Sequence, residues 1–572
     1  MADPYKVAIF GGGIAGLTVA HELIERGYEV TVYERNADCG GKARSLVTAT
    51  GQIGTRASPG LPAEHGFRFF PGFYQHLDDT MKRIPIGPLS YGQVTGPSSA
   101  PISASTAYDN LVDATKFGIA QVGEPLFILP TSNPQTLAEW VTALDDFFGQ
   151  PELGLSSGEK EVLLGKLLRL FAMCRERREA ELEGTPWYKY HNDPPPALSD
   201  QYNKMFVTGF SRALVAMEAT EASTFVGANI LAQFFRVFFN KSTMDRVLNA
   251  PTNDAWITPW VDYLKHKGVK FRTKHELIKL EVNTESDAMW IDSATVEDLD
   301  SGSTILVEDV DCYVAAVPVE VMQRLVASNP DLEAEPHLKE LYNLETTSMT
   351  GIMFYLNHDR PIVHGHLNFA DSKWALTGIS QPQFWEKDLS EYSGDESYLG
   401  LLSIVISDWN TPDEEATPKA AKQCTDADDV AKRTWTQLQA HIPTLPLQTP
   451  DYFLDSAITF NGPSSEPVEN AEPFMTNKAG HLKWRPPAET DIDNLVLASD
   501  YVRTDIDLAT MEGANEAGRR AANVINEKWY SGYEDCDVRP YPEPKTFAWY
   551  HPIDKKAMDL GLPFSFGLFP FP

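Results

Sequence analysis

The chain has 572 residues, 42% of them hydrophobic, and a formal net charge of −32. That acidity argues against nucleic acid as a partner and offers no electrostatic pull toward anionic lipid; a saline habitat or simple solubility would account for it equally. Five scattered cysteines (Cys39, Cys174, Cys312, Cys424 and Cys536), odd in number and without close pairing, argue against a disulfide scaffold or zinc site and for a reducing compartment. A chain of this length is expected to hold more than one domain. Residues 1–6 lack a signal-peptide pattern and no apolar run reaches membrane-span length. A cytoplasmic location is therefore expected, with peripheral contact at a membrane left open.

Residues 7–44 read VAIFGGGIAGLTVAHELIERGYEVTVYERNADCGGKAR. An apolar strand pattern from Val7 to Phe10 feeds Gly11-Gly12-Gly13-Ile14-Ala15-Gly16. A helical pattern follows, then a second strand from Glu29 to Tyr33 that closes on Glu34. Gly11 suits a tight turn, Gly13 lets a pyrophosphate reach the backbone, and Gly16 lets helix and strand pack closely. The helix start at Ile14 and Ala15 offers free N–H groups and a positive dipole end to phosphates. Glu34, 18 residues after Gly16, is placed to hold ribose hydroxyls. Strand, helix, strand and acid in this order predict a dinucleotide-binding unit rather than an ordinary glycine turn. A second glycine loop with paired cations, Gly40-Gly41-Lys42-Ala43-Arg44-Ser45, follows. A nicotinamide site has no need of such a loop; a longer, doubly anchored FAD does.

Downstream, residues 64–74 (EHGFRFFPGFY) are dense in aromatics around one cation, Arg68. Residues 84–130, rich in Pro, Gly, Ser and Ala, predict loops and short strands. Residues 137–148 and 159–183 follow helical period; in the second, Val162, Leu163, Leu167, Leu170, Phe171 and Cys174 form an apolar stripe. Asn192-Asp193-Pro194-Pro195-Pro196 breaks the pattern. Helical spacing resumes over about 200–239, ending at Phe234, Phe235, Phe238 and Phe239. These stripes read as core packing or as a helical cap with some residues facing substrate. Residues 256–267 predict a helix, 269–282 alternating strands, and 288–307 a β-meander turning at Leu299-Asp300-Ser301-Gly302. Residues 311–318 read as a buried strand. The strand-like runs 349–356, 374–381 and 398–407 suit an antiparallel floor under a pocket, and acidic 410–428 reads as an exposed loop. Residues 495–498 predict an apolar strand leading to Asp500, and a helix opens near Met511. The tail, GLPFSFGLFPFP, could pack on the body, cover a pocket mouth or touch lipid.

Together the segments 34–45, 64–74, 380–385 (SQPQFW), 494–501 (NLVLASDY) and 509–514 (ATMEGA) resemble the flavin-containing amine oxidase and phytoene desaturase superfamily. Within it they look most like plant-type phytoene and ζ-carotene desaturases and hydroxysqualene dehydroxylases. The resemblance implies non-covalent FAD and an α/β plus α+β fold. A Rossmann-like FAD-binding domain would be assembled from 1–85, 255–320 and 485–530. A mixed-sheet and helical substrate domain, 86–254 and 321–484, would interleave with it, and 531–572 would form a C-terminal extension. It also implies cofactor contacts at Gly11, Gly13, Ile14, Ala15, Gly16, Glu34 and Arg35, at Gly41, Lys42, Ala43 and Arg44, and at Gly66, Phe67 and Arg68. Leu277 is implied to meet the adenine through its backbone and Ala316 to end a strand at the cofactor. Asp500 would hold the ribityl chain, and Thr510, Met511 and Ala514 the flavin edge.

The implied activity is dehydrogenation (desaturation) of a mainly apolar, isoprenoid- or lipid-like small molecule. A second dinucleotide fingerprint for NAD(P)H is not evident, so oxygen or a quinone is the expected electron acceptor. Amine oxidases of the superfamily commonly carry an aromatic residue immediately before their Met-Glu-Gly motif; here that position is Thr510. An amine oxidase on a lipophilic amine, a redox-neutral FAD isomerase and a non-enzymatic prenyl-lipid carrier remain alternatives. Arg68 is the candidate catalytic residue: it could stabilise reduced flavin or anchor a polar substrate group, or it could pair structurally with Glu64 or a flavin phosphate. His65 reads as a packing or hydrogen-bonding residue. No metal site or Ser-His-Asp arrangement is expected.

Overall fold

In the computed structural model, five strands drawn from distant stretches of chain make one parallel sheet. Their spatial order is Leu495–Leu497, Cys312–Ala315, Lys6–Phe10, Glu29–Glu34 and Lys270–Thr273. The structure describes residues 4–52, 54–87, 105–130, 154–193, 198–209, 211–212, 217–239, 245–284, 288–394, 396–462, 468–529, 532–540, 543 and 547–565; side chains of 129–130 and 234–239 are outside the description. Lys6–Phe10 is buried from Val7 onward, as expected of a central parallel strand covered on both faces. One cover is the helix pair Ile14–Glu25 and Met511–Lys528. They approach closely at Gly518, where a Cβ would lie 2.7 Å from the Ala15 carbonyl oxygen. Asn515 Nδ2 donates to Thr18 Oγ1 across the same seam at 2.8 Å.

Lys274, at φ 59°, turns the chain from the parallel sheet into an antiparallel meander, His275–Asn283, Trp290–Asp298 and Ser303–Val307. A third sheet has seven strands in the order Asp451–Leu454, Thr350–Leu356, Gly400–Ile406, Leu376–Ser380, Gly365–Phe369, Lys116–Ala120 and Phe127–Pro130. All pairs are antiparallel except Gly365–Phe369 with Lys116–Ala120. The helix Ala427–His441 backs this sheet, with Trp435 4.9 Å from the Phe354 ring. The seven-stranded sheet packs directly on residues 64–66. Gly351 is pressed so near that a Cβ there would sit 2.6–2.7 Å from the carbonyl oxygens of His65 and Glu64.

Several expected elements differ. The helix over 159–183 is two helices, Ser157–Ala172 and Arg175–Leu182, because Met173 and Cys174 are extended and the Cys174 N–H donates to Asp554 Oδ2 at 2.9 Å. The run 200–239 is interrupted at 217–223, where Trp187 N–H takes the Ala222 carbonyl and Ser223 N–H the Asn477 carbonyl; the long helix begins only at Thr224. The helix over 256–267 opens with a π turn, Asn253–Ile257. Residues 410–428 are a largely exposed loop, as expected, but one anchored inward: Asp413 is buried against Arg433, and Ala421 and Cys424 join the core. The expected helix at 137–148 and residues 566–572 of the tail lie outside the described residues.

Candidate functional site

The carboxyl ends of Lys6–Phe10 and Cys312–Ala315 open onto the first glycine loop. Gly11, at φ +109°, is pressed against residue 316; a Cβ there would lie 2.3 Å from the Ala316 carbonyl oxygen. At Gly16 a Cβ would lie 1.9 Å from the Gly11 carbonyl oxygen. Gly13 is different: the nearest protein atom to a Cβ there is Gly41 Cα, 3.7 Å away. Two glycines thus serve chain packing, while the third keeps its surface bare where the helix Ile14–Glu25 starts. No side chain caps that helix. Its first turn, with Ile14 and Ala15, keeps the N–H groups and dipole end that suit a phosphate.

Glu34 is buried at the end of its strand. Its carboxylate accepts from Gly12 N–H at 2.7 Å and from the Asn36 backbone and side chain at 2.8 and 2.9 Å. Burial pushes its pKa up, against the pull of those donors. About one of a carboxylate's roughly four acceptor positions is left for a ribose hydroxyl. Arg35 points outward, 4.0 Å from Glu276. The second glycine loop lies on the first: Gly40 N–H donates to the Gly12 carbonyl at 2.7 Å. A short 3-10 turn, Gly41–Ala43, follows.

Both loop cations have anionic partners in the chain. Lys42 Nζ meets the Pro473 carbonyl and stands 3.5 Å from Glu320. Arg44 reaches Glu472 with both terminal nitrogens, at 3.0 and 3.2 Å. Burial pushes the Glu472 pKa up, but His65, Arg44 and Lys42 hold it below the usual carboxylate value. His65 lies between two acids: Nδ1 is 2.6 Å from Asp455 and Nε2 3.3 Å from Glu472.

Arg68 is enclosed by its own chain. Nε donates to the Ala43 carbonyl at 3.1 Å, Nη1 to Gly66 at 2.8 Å, and Nη2 to Lys42 and Arg44 at 3.1 and 3.2 Å. Glu64 pairs with it at 3.2 Å and in turn accepts from Thr252. The pairing with Glu64 is present, and Arg68 braces the cation loop against residues 64–68. Gly66 lies under the seven-stranded sheet, where a Cβ would be 3.0 Å from Val405. Phe67, half-buried, lines a small cavity of about 10 Å³ with Glu64, Arg68, Ile379, Gln381 and Phe384, room for roughly one water.

From the C-terminal side, Asp500 follows the strand Leu495–Leu497, and among the described residues its carboxylate receives only the Ser499 hydroxyl, at 3.3 Å. The Tyr501 hydroxyl and Glu320 Oε2 are buried without a hydrogen-bond partner among the described residues. Polar atoms of this kind suit a dinucleotide's hydroxyls. Thr510 caps Met511–Lys528, accepting from Gly513 N–H at 3.0 Å, with Met511 and Ala514 half-buried in the first turn. Leu277 is buried in the meander. The glycine loops, Glu34, Ala316 and the 64–68 brace are thus knit together by direct contacts, whereas Arg35 faces outward.

Sequence reasoning missed Glu512. Its carboxylate takes the N–H groups of Gln75, His76 and Leu77 and the His76 ring, each at 2.9 Å. It thereby caps the helix His76–Lys82 from the first turn of Met511–Lys528. It also missed Asp455 and Glu472, the partners of His65, which lie about 400 residues along the chain and carry no local signal. Among the described residues no group of His, Cys, Asp or Glu is arranged to hold a metal, and no helix is long and apolar enough to cross a membrane.

A bare, uncapped helix start, stacked glycine loops and acids on both sides fit a dinucleotide, and known proteins agree. Residues 14–526 match the family described as flavin containing amine oxidoreductase. The ζ-carotene desaturase of Synechocystis is 22% identical, covering 91% of this chain and 97% of its own. The 15-cis-phytoene desaturase of Synechococcus elongatus is 23% identical, covering 91% and 95%. A putrescine oxidase with redesigned cofactor binding shares the fold, with a TM-score of 0.58 at 12% identity over 92% of this chain and 99% of that one. The chain belongs to the flavin containing amine oxidoreductase family and is a flavin oxidoreductase.

Proposed function

We propose that this flavin enzyme dehydrogenates a mainly apolar, isoprenoid-like small molecule, with FAD held non-covalently and oxygen or a quinone as electron acceptor. The observation that carries the reading is Thr510. Its hydroxyl caps the helix where amine oxidases of the resemblance commonly place an aromatic wall, so an amine-orienting cage lacks one side here. The names of the desaturase relatives support the same substrate class.

In this reading the FAD domain comprises 1–85, 255–320 and 485–530, the substrate domain 86–254 and 321–484, and 531–572 is an extension. Gly13, Ile14 and Ala15 would receive the pyrophosphate, Glu34 the adenosine ribose, Leu277 the adenine, and Asp500 the ribityl hydroxyls. Thr510, Met511 and Ala514 would meet the flavin edge. Bound FAD supplies the two-electron acceptor for a C–H bond. The chain's own part is positional: Arg68, paired with Glu64, holds the 42–44 loop. A cytoplasmic location, with peripheral access to lipid-dissolved substrate, completes the reading. The test is anaerobic mixing of the holoprotein with polyprenoids, fatty-acyl compounds and amines. Bleaching of the flavin band by polyprenoids or acyl compounds is expected; bleaching by simple amines alone would overturn the proposal.

A further inference from the structure

The helix His551–Asp559 turns its polar side toward the body of the protein. Asp554 is buried, with Oδ1 2.9 Å from Arg177 Nε and Oδ2 accepting the Cys174 N–H at 2.9 Å. His551 Nε2 meets the Phe171 carbonyl at 2.9 Å, and Arg177 Nη2 donates to the Leu562 carbonyl at 3.1 Å. The large apolar side chains face out: Trp549 is 65% exposed, Ile553 53%, Leu560 68% and Leu562 52%. Trp549, Ile553, Lys556 and Leu560 stand at the spacing of one helix face. The two acids of the helix lie off that stripe, since Asp554 is buried and Asp559 pairs with Lys555.

An amphipathic helix ordinarily buries its apolar stripe, and this one leaves the stripe in water. Apolar side chains scattered singly over a surface need no explanation; a contiguous stripe marks an interaction site. Charge, residue type and continuity point to the partner. From Phe547 to Pro572 the sequence carries Lys555 and Lys556 against Asp554 and Asp559, a net charge of zero in a chain of −32. A second copy seated on the stripe would bring two such acidic bodies together, whereas zwitterionic headgroups bring no repulsion. Tryptophan at one end suits the boundary between headgroups and acyl chains, and Lys556 can lay its stem on apolar surface with its ammonium among the headgroups. The sequence then ends in FGLFPFP, which carries no charge. The helix that grips this element, Arg175–Leu182, is tied through Arg175 to the Asp505 carbonyl and to Asp507, within the segment read above as holding FAD.

We propose that the stripe formed by Trp549, Ile553, Lys556, Leu560 and Leu562 is a docking surface for the plane of a zwitterionic lipid bilayer. The inference rests on the peripheral-access part of the reading above and supplies its surface. It differs from a polybasic patch in sign: anionic lipid weakens the docking.

The test floats the flavin-loaded full chain with vesicles of phosphatidylcholine alone and of equimolar phosphatidylcholine and phosphatidylserine. The wild type should float with the first and less with the second at low salt, the difference closing as salt screens the acidic body. Ile553→Glu combined with Leu560→Glu should lower partitioning into phosphatidylcholine about tenfold or more. Flavin content and melting temperature should stay near wild type, because both side chains are exposed. Trp549→Ala, which changes no charge, should weaken partitioning about threefold or more, and it carries the test if the paired substitution does not fold. Leu306→Glu, at a 55% exposed site on the meander, should stay within about twofold of wild type. Unchanged flotation of the folded stripe variants, or an equal loss in Leu306→Glu, overturns the inference. So does a wild type that fails to float: a dimer in sedimentation that the paired substitution dissociates would assign the stripe to a second copy, and a monomer to the chain end. Flotation with bleaching by simple amines alone would leave the docking surface standing and remove the substrate reading; bleaching by polyprenoids without flotation would do the reverse.

Discussion

Gly13 and Gly16 stand three residues apart and answer to different neighbours. A Cβ at 16 would strike the Gly11 carbonyl oxygen, so its requirement is internal to the fold; a Cβ at 13 would strike nothing in the chain. Gly13→Val is therefore expected to fold but to lose flavin, because the side chain would occupy the approach to the helix start. Comparing the flavin absorbance of the purified variant with its circular dichroism checks this, and a yellow variant of normal flavin content would reassign the loop. Glu512 makes the second prediction at this scale. Burial pushes its pKa up, but the His76 ring and the backbone N–H groups of His76 and Gln75 outweigh burial and hold it below the usual carboxylate value. The folded pKa lies below the unfolded one, so the stabilisation is fully present above about pH 4.5 and is lost as pH falls through the folded value. Glu512→Ala should cost about 3–5 kcal/mol, since it leaves three N–H groups and the His76 ring, all facing a buried carboxylate, without that acceptor. Urea melts at pH 7 and pH 4 should show the wild type losing stability on acidification and the variant losing less.

At the scale of elements, periodicity located helices and strands well and misplaced their interruptions. The stripe from Val162 to Cys174 is real, yet the helix breaks at Met173 because Asp554, on a helix near the C-terminus, captures the Cys174 N–H. The same Asp554 pairs with Arg177 at 2.9 Å, both side chains nearly fully buried. Asp554→Ala should therefore free the helix His551–Asp559 from Arg175–Leu182, at a cost of about 3–5 kcal/mol for the broken buried pair. Limited trypsin digestion should then cut earlier at Lys555 and Lys556 than in wild type; equal cleavage rates would show that the helix is held by other contacts. Residues 410–428 teach the same lesson in reverse. Their charge reads as solvent exposure, but Asp413 is drawn inward by Arg433 twenty residues later, a partner that no local window contains.

For the molecule as a whole, the parallel sheet has strands from residues 6–34, 270–315 and 495–497, so no single stretch can bury its own face. A fragment ending at residue 85 should be unfolded by circular dichroism and amide dispersion, because Lys6–Phe10 would lose Cys312–Ala315 and Glu29–Glu34 would lose Lys270–Thr273; a cooperatively folded fragment would contradict this. The sequence by itself determined the glycine loops, the acid at the end of Glu29–Glu34, the meander and the capped helix at Met511. Each depends on neighbours within about thirty residues, where turn chemistry and hydrophobic period are the governing physics. Only the tertiary structure decided the partners of the charged side chains. Nothing local to Arg68 announces the four backbone carbonyls and Glu64 that surround it in the fold. The buried hydrogen-bonded pair His366 and Asp245, 121 residues apart, carries no motif at all. A buried charge or imidazole takes its role from whatever satisfies it, and that is set by which distant strands the sheet brings within hydrogen-bonding reach.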